Sequence, residues 1–199
     1  MKLPRSSHTD KPWRIHELTP DFTVEDVWAL PTPGGPDDFP RLLENFGSGN
    51  FPEGAPLIVR VLWEARWKLG RLFGWDDENG GLGTRVPMLL DRLPDDLRAA
   101  PRGPDLGDLP FSSLYQLDDE WAAEMANRTV HGVLHLSWVP DESGGYRGQM
   151  AVLVKPNGRR GAAYMALIKP FRYLFVYPAL LGIIGRGWQA STAGARPTP

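Results

Sequence analysis

The chain of 199 residues contains no cysteine. Disulfides, thiol nucleophiles and thiolate-ligated metals are thereby excluded. Charge of either sign is also not in excess. Lys and Arg number 22 against 24 Asp and Glu, for a net charge of -2, and no face is visibly basic, so a nucleic-acid footprint is not indicated. The N-terminus is polar where a secretory signal would be apolar, which points to a cytoplasmic protein. No span-length greasy run occurs. The longest charge-free stretch, Tyr173 to Gly185, falls well short of the ~20 residues a membrane helix needs. GxSxG is missing, Ser has no His or Asp partner at recognisable spacing, and GSG and GGLG lack the strand–loop–helix setting of a phosphate cradle. WDDENGGLG places its acids side by side, not at alternate positions, and reads as a solvated turn instead of a calcium loop. No cofactor and no metal are expected.

What is present is aromatic: eight Trp, eight Phe and five Tyr. Large buried rings suit a thick core or an apolar pocket. The chain is organised around its closing run, RRGAAYMALIKPFRYLFVYPALLGIIGRGW. Ala162 to Arg186 reads as one long helix, apolar nearly all round. Pro170 and Pro178 predict bends near Ala166 and Leu174. At ~1.5 Å per residue the helix spans about 37 Å. The best strand, Thr129 to Val139, spans about 36 Å at ~3.3 Å per residue. A helix lying along a curved antiparallel sheet follows from that match.

In chain order, Met1 to Pro12 reads as a loose lead-in and Trp13 to Leu18 as a short strand. Phe22 to Leu30 fits helix or strand, and PTPGGP reads as a loop. Asp37 or Asp38 caps a short helix with Leu42, Leu43 and Phe46. A clear amphipathic helix starts at Pro56 and ends at Gly74, with Trp63 and Trp67 flanking its stripe. Thr84 to Arg98 holds a possible short strand and a short helix, and Pro101 to Pro110 a connector. Strands follow at Phe111–Leu117, Glu120–Ala126, Thr129–Val139 and Tyr146–Lys155. The tail after Ala190 reads as disordered. These readings give one α+β domain over residues 13–190, with flexible termini at 1–12 and 191–199.

Two groups of residues carry candidate chemistry. His131 and His135 have the HxxxH spacing of a helical metal site, but on a strand that spacing puts them ~13 Å apart, too far to share an ion. With Asn127-Arg128 as a two-residue turn, Glu124 faces His131 and Glu120 faces His135, an arrangement able to serve as acid and base. The plainer and preferred reading is a set of polar cross-strand pairs on the solvated face. Lys169, Arg172, Tyr173 and Tyr177 give the closing helix a cationic and phenolic edge, suited to an anionic or polar ligand head. There the preferred reading is snorkelling, with the charges reaching water or the acids Asp76 to Glu78. Trp63, Trp138 and Tyr164 complete the candidate lining of a pocket.

The segments NRTVHGVLHLSWVP, YRGQMAVLVKP, AYMALIKPFRYLFVYPALL and DFTVEDVWALPTPGGPDDFP resemble a bacterial domain family of unknown function. That family occurs alone or appended to NAD(P)-binding short-chain-dehydrogenase-like proteins, and it is similar to the START-like, or SRPBCC, helix-grip superfamily. The resemblance covers roughly Ile15 to Trp188. It implies a curved antiparallel sheet gripping a long C-terminal helix, with a cavity between, and it brings no catalytic residues. The leading functional expectation is binding of a hydrophobic small molecule or lipid in that cavity. A second is a cyclase- or hydratase-like enzyme using Glu124 with His131 or His135. A third is an accessory module for a reductase-like protein partner.

Overall fold

Alternating and β-branched segments at both ends of the chain make one sheet. The computed structural model describes residues 1–47, 88–104, 106, 109, 111–126 and 130–194, with backbone only for 159–164, 167, 193 and 194. Its strands are β1 (Lys2–Leu3), β2 (Thr23–Gly34), β3 (Ser112–Gln116), β4 (Glu120–Ala126), β5 (Val130–Pro140) and β6 (Tyr146–Pro156). They pair antiparallel throughout, in the order β1-β2-β6-β5-β4-β3. Register shifts in β2 and β3 bend and curve the sheet.

Central strand β5 is buried at every position except Pro140. Both its faces are therefore covered, and the amino-acid pattern divides them. Leu134, Leu136 and Trp138 join the core under the closing helix, together with Trp28, Leu30, Leu42, Met150 and Trp188. The opposite face holds Trp13, Ile15, Leu18, Leu93, Leu97, Val133 and Leu153. It is closed by α1 (Ser6–Thr9), α2 (Ile15–Leu18), a 3-10 turn (Leu90–Arg92) and, beyond α3 (Phe39–Gly47) in the chain, by α4 (Asp95–Ala99). Helix α3 sits on the closing-helix side. It can approach β6 because Gly148 carries no side chain: a Cβ there would lie 2.7 Å from Leu42 Cδ2 and 2.9 Å from Leu30 Cδ1.

The closing helix comprises α5 (Gly158–Phe171), a π turn (Arg172–Val176) and α6 (Tyr177–Gly194). Pro178 has no N–H to offer the Leu174 carbonyl, and the chain answers by widening: the Tyr177 N–H bonds Arg172 O, five residues back. Tyr177, Ile184 and Trp188 point into the core. Phe171 and Leu174 do not; they are 45% and 67% exposed. Around Phe171 and Leu174 the helix is thus not packed all round. Among the described residues no helix is long and apolar enough to cross a membrane.

Several local expectations are corrected. Residues 1–12 are not a loose lead-in. Lys2 and Leu3 add an edge strand to β2, and His8 on α1 is fully buried. Trp13 to Leu18 is not a strand, because Ile15–Leu18 winds into α2 and buries Ile15 and Leu18. Pro31 to Gly34 of the expected loop belong to β2, where the ladder to β6 is irregular and β1 has already ended, so a proline forfeits little. The tail continues as helix to Gly194, held by Arg41, which donates to Ser191 Oγ at 3.0 Å and to the Trp188 carbonyl at 2.8 Å. The expected helix from Pro56, the loop at 75–83, the short strand in 84–87 and the turn at Asn127-Arg128 lie outside the described residues.

Candidate functional site

The site begins with a bulge. Between Val24 and Asp26 the register of β2 slips against β6. Val24 faces the core away from the closing helix, whereas Trp28 faces the helix. The slip turns Asp26 to the helix side as well, two residues from Trp28 and on the same face.

The π turn brings Arg172, Tyr173 and Tyr177 over that face. Arg172 Nη2 lies 2.6 Å from Asp26 Oδ2, and the Tyr177 hydroxyl donates to the same oxygen at 2.6 Å. Arg172 also bonds the Tyr177 hydroxyl. Asp26 is 1% exposed, so the ion pair is buried. Burial, then the Asp26 charge, push the Tyr177 phenol above its ordinary pKa against the pull of Arg172, and the hydroxyl stays a donor. The ring of Tyr177 stacks at 4.7 Å from Trp28, and Tyr173 lies 5.7 Å from Tyr177 and 6.1 Å from Trp28. Lys2 closes the cluster, its Nζ 3.0 Å from the Tyr173 hydroxyl and 4.3 Å above the ring.

Among the described residues, two buried polar atoms in this cluster find no partner: Asp26 Oδ1 and Trp28 Nε1. One is an acceptor and the other a donor. Buried groups of this kind are uncommon, and each costs about 1–3 kcal/mol when left unmade.

The candidates from the sequence are distributed as follows. Arg172, Tyr173 and Tyr177 come together. Lys169 stands apart, half-exposed and 3.8 Å from Glu25. Trp138 fills core: its indole donates to Gly35 O at 2.9 Å and its ring packs between Phe39 and Trp188. Trp63 and the side chain of Tyr164 lie outside the described residues, as do Asp76 to Glu78. Arg172 does not snorkel to water; its charge is matched by Asp26. The unmet groups at the site are therefore one acceptor, Asp26 Oδ1, and one donor, Trp28 Nε1. Asp26 and Trp28 are not among the site candidates drawn from the sequence. Their signal was the strand pattern Asp26, Trp28, Leu30, hidden because a bulge breaks the alternation.

Glu124, His131 and His135 lie on the other face, against the N-terminal turns. They are not solvated: Glu124 and His135 are 0% exposed and His131 1%. The register pairs Ala126 with His131 and Ala122 with His135, so each contact is diagonal instead of directly opposite. His131 Nε2 is 2.8 Å from Glu124 Oε2, and His135 Nε2 is 2.8 Å from Glu120 Oε2. Glu124 also accepts from the Leu89 and Leu90 amides at 2.9 Å each, latching the 3-10 turn to the sheet. Burial alone would raise its pKa, but His131 and the two amides outweigh it and hold the carboxyl below its usual value. Glu120 accepts from the Arg14 amide at 2.9 Å, which fixes the start of α2. Behind His135 stands His8, Nε2 to Nδ1 at 3.1 Å. Burial, and then His135 and His16, depress His8 to about 2, so it is neutral. Among the described residues no three His, Cys, Asp or Glu are placed to hold a metal ion.

The fold and this cluster define an α+β protein in which a six-stranded antiparallel sheet carries a C-terminal helix on an aromatic, internally ion-paired face. The chain belongs to the family described as protein of unknown function (DUF2867), whose model matches residues 18–179. No curated protein matches the chain, and no solved structure does.

Proposed function

We propose that the protein binds a hydrophobic small molecule bearing a hydroxyl group, between the sheet and the first half of the closing helix. The observation that carries this reading is the pair of unmet polar atoms, Asp26 Oδ1 and Trp28 Nε1, set among aromatic rings. A hydroxyl is donor and acceptor at once. It satisfies the carboxylate oxygen with its proton and the indole N–H with a lone pair. The apolar body of the ligand then lies along Trp28, Tyr173 and the half-buried side of the π turn. Such a division, a mostly apolar lining with a few placed polar groups, is how small-molecule sites achieve orientation. A π turn also recurs at functional sites. The resemblance to the helix-grip superfamily supports the same location, since a cavity between sheet and C-terminal helix is what that fold implies.

Native mass spectrometry of gently purified protein tests this. A co-purifying apolar alcohol or phenol is expected. An empty protein that shows no thermal shift across a panel of sterols, fatty alcohols and phenolic polyketides would refute it.

A second reading rests on Phe171 and Leu174, which present apolar surface beside the same cluster. In it the helix docks on a reductase-like partner. Leu174→Glu would then abolish co-purification while leaving ligand binding intact.

A further inference from the structure

The face away from the closing helix carries a cleft of about 440 Å³. It lies at the meeting of α1, α2, β2 and β6, and its walls include Arg5, Thr9, His16, Thr19, Phe22 and Leu153. Among the described residues no carboxylate lines it. The cluster around Asp26 does not contribute to it.

We infer that this cleft is a second small-molecule site, taking a compact amphipathic anion whose carboxylate or phosphate is met by Arg5 and His16. Four observations combine. First, the polar wall is cationic or protonatable while the floor is apolar, with Phe22, Val24 and Leu153. Second, Arg5 is only loosely engaged: its guanidinium is 3.8 Å from Glu25 and its side chain is 54% exposed, so it can turn to a better anion. Third, His16 is fixed from behind. Its Nε2 reaches the His8 carbonyl at 3.3 Å, which sets that nitrogen as the donor. Nδ1 is the ring nitrogen left to the ligand. Fourth, the wall behind is rigid. The His8 ring packs edge-on at 4.8 Å from His16 and 4.9 Å from His135, and His135 is held by the buried Glu120. Preorganised walls lose little freedom on binding. The hydroxyls of Thr9 and Thr19 are already donating, to Asp10 Oδ1 and to the Ile15 carbonyl. They offer lone pairs only, which leaves Arg5, His16 and the Thr23 hydroxyl on the wall to meet the anion.

Titration with benzoate and phenyl phosphate, followed by isothermal calorimetry and by the imidazole signals of His16, tests the site. Either anion should bind and shift His16, and the tighter of the two names the head group; benzyl alcohol should not bind there. Arg5→Gln should weaken binding about tenfold or more, as loss of a charge-assisted contact does. Glu25→Gln, which frees Arg5, should strengthen it. Phe22→Ala should weaken it through the floor. The double variant Asp26→Leu/Arg172→Met should leave it unchanged, which separates this site from the one under the closing helix. Failure of both anions to bind at millimolar concentration, or binding indifferent to Arg5→Gln, overturns the inference.

Discussion

The Tyr177 hydroxyl donates to Asp26 Oδ2 at 2.6 Å, joining residues 151 positions apart. That bond, with Arg172 on the same oxygen, ties the widened turn of the closing helix to the bulged end of β2. The other carboxylate oxygen of Asp26 has no donor among the described residues. The proposed ligand site and the anchoring of the helix are thus one structure.

Truncating one member of the buried ion pair is expected to cost far more than replacing both. Asp26→Ala strands Arg172 and should destabilise by about 3–5 kcal/mol. Asp26→Leu/Arg172→Met removes both charges and should come within about 1 kcal/mol of the parent. Tyr177→Phe should cost about 1–2 kcal/mol, the loss of one hydrogen bond to a charge. Urea titrations of the four proteins measure the differences.

Acid should loosen the fold before the carboxylates titrate. His8 is held at about 2 by burial, against an ordinary value of 6.5, so the unfolded chain binds its proton first. His135 is shifted in the same direction by burial, with Glu120 opposing. The stability these neutral rings contribute is fully present above about pH 6.5. It is lost as pH falls below that value, by up to about 1.4 kcal/mol per unit for each ring. Glu124, whose carboxyl is depressed, adds its own loss below its ordinary 4.5. Urea midpoints at pH 7.5 and 5.5 should differ, and His8→Gln should flatten the difference.

Glu124→Ala should release the 3-10 turn. It leaves the Leu89 and Leu90 amides and His131 without their acceptor, a loss of about 3 kcal/mol or more. Hydrogen exchange at the Leu89 and Leu90 amides should speed up selectively, while exchange in β2 should not.

Position along the closing helix should decide the cost of truncation. Phe171→Ala would cost ~3–5 kcal/mol if the ring sat in a well-packed core. At 45% exposed it should cost under about 1 kcal/mol. Trp188→Ala, 3% exposed and hydrogen-bonded to Pro33 O at 3.0 Å, should instead cost about 3–5 kcal/mol.

The four long C-terminal strand segments and the closing helix were legible because their signals are local. Alternation marks β6, and a run of Val, Leu and Trp marks β5. The N-terminal turns were not. His8 and Trp13 are buried by contact with His135, more than a hundred residues away, and nothing local announces that. Arg172, Tyr173 and Tyr177 could be singled out as polar groups on an apolar helix. Their partner Asp26 could not, since a single register slip in β2 decides which face it takes. The same limit hid the solvation of Glu124, His131 and His135. Sequence placed them on one face but not the layer that covers it.

The most direct test of the ligand site compares a fatty alcohol with its methyl ether by calorimetry, on the parent protein and on Asp26→Leu/Arg172→Met. The alcohol should bind the parent at least about tenfold more tightly than the ether, and the double variant should bind the two equally. Equal binding of alcohol and ether by the parent, or a preference that survives in the double variant, would contradict a role for the free oxygen of Asp26.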